Sequence, residues 1–129
     1  MQNHHARKNL VIAVVDDDES LRIALEGLLR SIGYQARTYA AAREFLDSEG
    51  PLLARCLICD VQMPGMCGVQ LYDALRARGL HIPVIFITAF SGENLRITPN
   101  MPGVIAYLRK PFEPDRLLDC IETALRKTH

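Results

Sequence analysis

Alternation between two kinds of segment is the feature of this chain that most restricts its fold. Five short runs, at Leu10–Val15, Gln35–Tyr39, Arg55–Asp60, Pro83–Thr88 and Val104–Leu108, read as strands and are separated by stretches with helical periodicity. Three of the runs are almost continuously apolar, the pattern of strands buried on both faces of a parallel sheet that helices cover on each side. The first helical stretch places Leu21, Ala24, Leu25, Leu28, Leu29 and Ile32 on one side, with Asp18 as its N-cap and Gly33 just past its end. A second, shorter helix falls near Ala40 to Ser48. A third carries Leu71 and Leu75 and stops at Gly79, and the last carries Leu117, Leu118, Ile121, Ala124 and Leu125 behind Pro114. Between the fourth and fifth strands, Ser91 to Arg96 opens a helix that Pro99 and Pro102 shorten or distort, because proline removes a donor and disfavours helix in the residue before it. The pattern predicts a doubly wound α/β domain with right-handed crossovers.

The 129 residues suffice for one such domain. The expected organisation is a flexible N-terminal extension over residues 1–9 followed by one folded unit over 10–127. With 15 Lys+Arg against 15 Asp+Glu, the chain lacks the basic footprint of a phosphate-backbone binder, so no nucleic-acid contact by this chain is expected. Residues ahead of Leu10 are polar, which argues against a signal peptide. The apolar runs fall far short of the roughly 20 residues that span a bilayer. A soluble, cytoplasmic protein without a membrane partner is expected. Cys56 and Cys59 have C-x-x-C spacing, but on a strand residues three apart point to opposite faces and cannot share a metal, so they read as core residues.

In open parallel sheets the functional crevice lies beyond the carboxyl ends of the strands. Here the first strand ends in Asp16, Asp17 and Asp18, the third in Asp60 and the fourth in Thr88, while the fifth runs into Lys110. Asp16, Asp17 and Asp60, brought into one crevice, repel one another and stay ionised together only around a cation. An all-oxygen ligand set suits Mg²⁺ better than zinc. A metal, an ammonium and a hydroxyl around a carboxylate form a receptor for a phosphoryl group, whose charge is spread over its equatorial oxygens in the transition state. Asp60 is then the natural nucleophile.

The segments Val14–Ser20, Asp60–Gly65, Pro83–Ala89 and Leu108–Phe112 resemble, in order and spacing, the receiver domain of two-component response regulators, and most closely FixJ-type receivers. The similarity runs from about Leu10 to Arg126. It implies a flavodoxin-like (βα)5 fold with strand order 2-1-3-4-5, and makes the unit at 10–127 a receiver domain. It also implies that Asp60 accepts a phosphoryl group from a histidine kinase in a Mg²⁺-dependent reaction. Mg²⁺ would be held by Asp17, Asp60 and the backbone carbonyl of Gln62, with Asp16 acting through a water. Thr88 would bond a phosphoryl oxygen, Lys110 would pair with the phosphoryl group, the Lys110–Pro111 peptide would be cis, and Tyr107 would turn inward as Thr88 moves. The domain would then switch conformation to control an unidentified partner or output domain. It would be no enzyme beyond its own phosphorylation and dephosphorylation, and the resemblance allows a phosphorylation-dependent homodimer.

Two features depart from that pattern. Pro99 and Pro102 interrupt a helix that in the family is regular and borders the output face, and Phe90 puts a bulky ring at a position that in the family borders the path of the hydrolytic water. A competing layout is a small phosphohydrolase of the haloacid dehalogenase type, with Asp16-x-Asp18 after a strand, Asp16 as nucleophile, Thr88 and a later lysine. It leaves Asp60 without a role. No G-x-G-x-x-G or P-loop pattern supports nucleotide binding.

Overall fold

In the computed structural model, which describes residues 10–89 and 101–126, the strands close into one sheet. The elements are β1 (Val11–Val15), α1 (Glu19–Ser31), β2 (Gln35–Tyr39), α2 (Ala42–Leu46), α3 (Gly50–Leu53), β3 (Ala54–Asp60), α4 (Gly68–Ala77), β4 (Val84–Thr88), β5 (Val104–Arg109) and α5 (Pro114–Arg126). All pairings are parallel and the order is β2-β1-β3-β4-β5, the flavodoxin-like arrangement. Each expected strand is present to within a residue at either end. The extension at residues 1–9, the helix expected from Ser91, and Phe90 lie outside the described residues.

Period-2 alternation sends neighbouring residues of each central strand to opposite faces, and both faces are buried. Ile12, Val14, Cys56, Ile58, Ile85 and Ile87 pack against Leu25 and Leu29 of α1 and Leu117 and Ile121 of α5. Ala13, Val15, Leu57, Cys59 and Phe86 pack against Phe45 and Leu46 of α2 and Leu71 and Leu75 of α4. Cys56 and Cys59 therefore sit in different layers, as their spacing on a strand requires.

Helix α1 begins where expected: Asp18 has extended backbone and its side chain accepts the Leu21 N–H. It ends at Gly33, whose φ of 104° turns the chain out of the helix while Tyr34 N–H bonds the Leu29 carbonyl. The region near Ala40 to Ser48 differs in detail. One helix stops at Leu46, and the separate turn α3 follows with Pro51 in its first turn, where a missing N–H costs nothing. Ser48 makes the break: its hydroxyl donates to the Phe45 carbonyl and accepts the Gly50 N–H.

Candidate metal centre at the carboxyl edge of the sheet

Strand order and register decide which polar groups meet. Val15 lies opposite Cys59 in the β1–β3 ladder, so Asp16 and Asp60, each one residue further on, emerge side by side. Thr88 pairs with Arg109 across β4 and β5, and the Lys110 N–H reaches the Thr88 carbonyl at 2.7 Å. Four neighbouring strands thus deliver Asp16, Asp60, Thr88 and Lys110 to one edge.

Asp16 is fully buried. Its Oδ1 accepts the Asp18 N–H at 2.9 Å, and its Oδ2 forms an ion pair with Lys110 Nζ at 3.0 Å. Asp60, also buried, accepts the Gln62 N–H on Oδ1 at 3.0 Å and the Lys110 ammonium on Oδ2 at 3.2 Å. Asp17 is exposed at the rim. Burial raises the Asp60 carboxyl above its ordinary value; the Gln62 N–H opposes the rise, the Asp16 charge adds to it and Lys110 counters it. For Lys110, burial pulls the ammonium down, but the two carboxylates outweigh it and hold it above the usual lysine value.

One carboxylate oxygen from each of Asp16, Asp17 and Asp60 falls within 4.8 Å of the others. This cluster is compatible with a hard divalent cation. The donors are all oxygen, and the Lys110 ammonium, shared between Asp16 and Asp60, offsets only one of the three carboxylate charges. The residues present therefore fit Mg²⁺, as a set of carboxylates with a solvent-exposed side at Asp17.

Of the remaining expected residues, Thr88 is buried at the end of β4. The Lys110–Pro111 peptide is cis. Tyr107 lies opposite Phe86 and so faces the same side of the sheet as Thr88, with half of its surface exposed. The sequence reading missed two contributors. A Cβ added to Gly68, the first residue of α4, would fall 2.5 Å from the Asp60 carbonyl oxygen and 3.0 Å from Val61 Cα, so only glycine lets this helix dock under the acceptor strand. Arg22 Nη1 donates to the Asp16 carbonyl at 2.8 Å. Its signal was present in the chain, as a cation in the first turn of a helix whose start is otherwise acidic.

A doubly wound sheet with a carboxylate cluster and an ion-paired lysine at its carboxyl edge is the layout expected of a receiver domain. The chain belongs to the response regulator receiver domain family, whose model matches residues 12–122. Nodulation protein W of Bradyrhizobium diazoefficiens is 34% identical over 122 residues, covering 95% of this chain and 54% of that protein. The C4-dicarboxylate transport transcriptional regulatory protein DctR of Rhodobacter capsulatus is 41% identical over 120 residues, covering 91% and 60%. Among solved structures, the response regulator StyR superposes with a TM-score of 0.84 at 41% identity over 92% of this chain and 60% of that one. FixJ-N superposes at 0.82 with 28% identity over 93% and 96%. The chain spans about half the length of the curated relatives it matches. Among the described residues no helix is long and apolar enough to cross a membrane.

Proposed function

We propose that this chain is a phosphorylation switch in which Asp60 takes a phosphoryl group from a histidine kinase. The observation that carries the reading is the position of Asp60: it ends the central strand, inside the acidic cluster, with Lys110 Nζ on its Oδ2. An Asp60 carboxylate oxygen attacks phosphorus, the P–N bond of the donor phosphohistidine breaks, and the imidazole leaves with the bond's electron pair. Asp17, Asp60 and the Gln62 carbonyl would hold Mg²⁺, with Asp16 acting through a water. When bound, the ion supplies charge neutralisation for the phosphoryl oxygens. Lys110 pairs with a phosphoryl oxygen, and Thr88 places its hydroxyl on another. The acyl phosphate carries about two negative charges where the Asp60 carboxylate carried one, a net gain of about one beside Asp16 and Asp17. That load biases the Thr88 and Tyr107 pair, and the half-exposed tyrosine moves inward. Residues 10–127 form this receiver unit.

That relatives include transcriptional regulatory proteins favours an output exerted through an effector that reads the switched surface. Intact-mass measurement after incubation with acetyl phosphate and Mg²⁺ tests the reading. The phosphoryl mass should appear on the parent, vanish with a chelator, and be absent from Asp60→Asn. Labelling of Asp16 instead would overturn the reading in favour of the phosphohydrolase layout.

A further inference from the structure

A cation in the first turn of a helix stands against the helix dipole, whose positive end lies there. Arg22 is such a cation, because its own N–H bonds the carbonyl of the cap residue Asp18. The side chain folds back past the cap, and Nη1 donates to the Asp16 carbonyl at 2.8 Å. That carbonyl belongs to the peptide joining Asp16 to Asp17, so the guanidinium is seated on the backbone between two members of the carboxylate cluster. The other restraints in this turn act elsewhere. Asp16 Oδ1 takes the Asp18 N–H, Asp18 Oδ1 takes the Leu21 N–H, and Asp16 N–H bonds the Tyr39 carbonyl. Asp17 has most need of support, since it is exposed while Asp16 and Asp60 are buried at strand ends.

We propose that Arg22 is a positioning residue for the metal centre. It fixes the Asp16–Asp17 peptide so that the Asp17 carboxylate stays beside those of Asp16 and Asp60, and its permanent charge offsets part of their repulsion. The inference rests on the reading that this cluster holds Mg²⁺.

The test is a Mg²⁺ titration of the parent, Arg22→Met and Arg22→Lys, followed by the amide shifts of Asp17 and Gln62. The carbonyl carbon shift of Asp16 is read in the same proteins before any Mg²⁺ is added. Arg22→Met should raise the Mg²⁺ Kd by about tenfold, the usual scale for losing a group that orients a metal ligand. It should also move the Asp16 carbonyl shift without metal, and Arg22→Lys, which keeps a charge and a donor, should recover most of both. Labelling of Arg22→Met by acetyl phosphate should be slow at limiting Mg²⁺ and reach the parent rate at saturating Mg²⁺. If Arg22→Met does not fold, Arg22→Gln replaces it under the same criteria. A folded variant whose Kd stays within about twofold of the parent, well short of that scale, overturns the proposal, as does an unmoved Asp16 carbonyl shift. A parent that binds no Mg²⁺ overturns the metal reading instead, and the carbonyl shift still judges the Arg22 contact.

Discussion

Lys110 Nζ stands 3.2 Å from Asp60 Oδ2, joining the last strand of the sheet to the central one. The same ammonium lies 3.0 Å from Asp16 Oδ2, so a single cation serves two buried carboxylates. Replacing it by methionine leaves them facing each other without a counter-charge. Lys110→Met should lower the stability of the metal-free protein by about 1–3 kcal/mol, the cost of an uncompensated buried group in a partly wet site. Mg²⁺ should then raise the melting temperature of the variant more than that of the parent. Thermal unfolding with and without Mg²⁺ measures both effects.

Asp60 should respond in the opposite direction. A carboxyl whose pKa folding raises favours the native state below its ordinary value of 3.8, and that contribution is lost as pH rises through the native value. At neutral pH the ionised group therefore works against folding. Asp60→Asn should melt a few degrees higher than the parent at pH 7 without metal, lose that advantage below the ordinary carboxyl range, and gain less from Mg²⁺. Calorimetric scans across acidic to neutral pH check the crossover.

Cys56 sets an alkaline limit. Burial pushes its thiol up to about 12 from an ordinary 9.0, with the Cys120 charge adding to the rise and the Leu57 backbone opposing it. Between these values the unfolded chain loses the thiol proton and the native chain keeps it, so stability falls as pH rises. The slope approaches about 1.4 kcal/mol per pH unit for one thiol. Urea unfolding of Cys56→Ala between pH 8 and pH 11, on the order of the window set by these pKa values, should show a flatter decline than the parent. The absolute stability of the variant is expected to be lower at pH 8 because of the space the sulfur leaves.

Gly68→Ala tests how closely α4 must approach the acceptor strand. The added methyl meets backbone, the Asp60 carbonyl and Val61 Cα, neither of which can swing aside as a side chain can. A loss of about 1–3 kcal/mol in urea unfolding is expected from such overpacking. Weaker labelling of Asp60 by acetyl phosphate should accompany it, because the strand end that carries the carboxylate has to shift.

The sheet was legible because buried parallel strands leave nearly continuous apolar runs, as Ile12 to Val15 and Val84 to Ile87 do, and because Gly33 and Gly79 mark helix ends. The acidic edge was legible for a related reason, since a parallel sheet brings every strand's last residue to one side. The break between α2 and α3 was not, because it depends on the Ser48 hydroxyl serving two backbone groups, and a serine in a helical window carries no such mark. Arg22 and Gly68 escaped notice because their roles are contacts with backbone atoms of Asp16 and Asp60. A first-turn cation marks Arg22 as out of place, but which backbone atom either residue meets is fixed only when the chain folds.

The ligand atoms of the acidic cluster all lie within 4.8 Å of one another, and two of its three residues leave the ends of adjacent strands. Asp16 and Asp60 follow directly opposed residues of β1 and β3, so their attachment points stand one ladder rung apart. The backbone lattice therefore sets the distance between these two attachment points. Exchanging either aspartate for glutamate lengthens a lever whose hinge stays fixed. The separation of these two hinges is a property of the sheet.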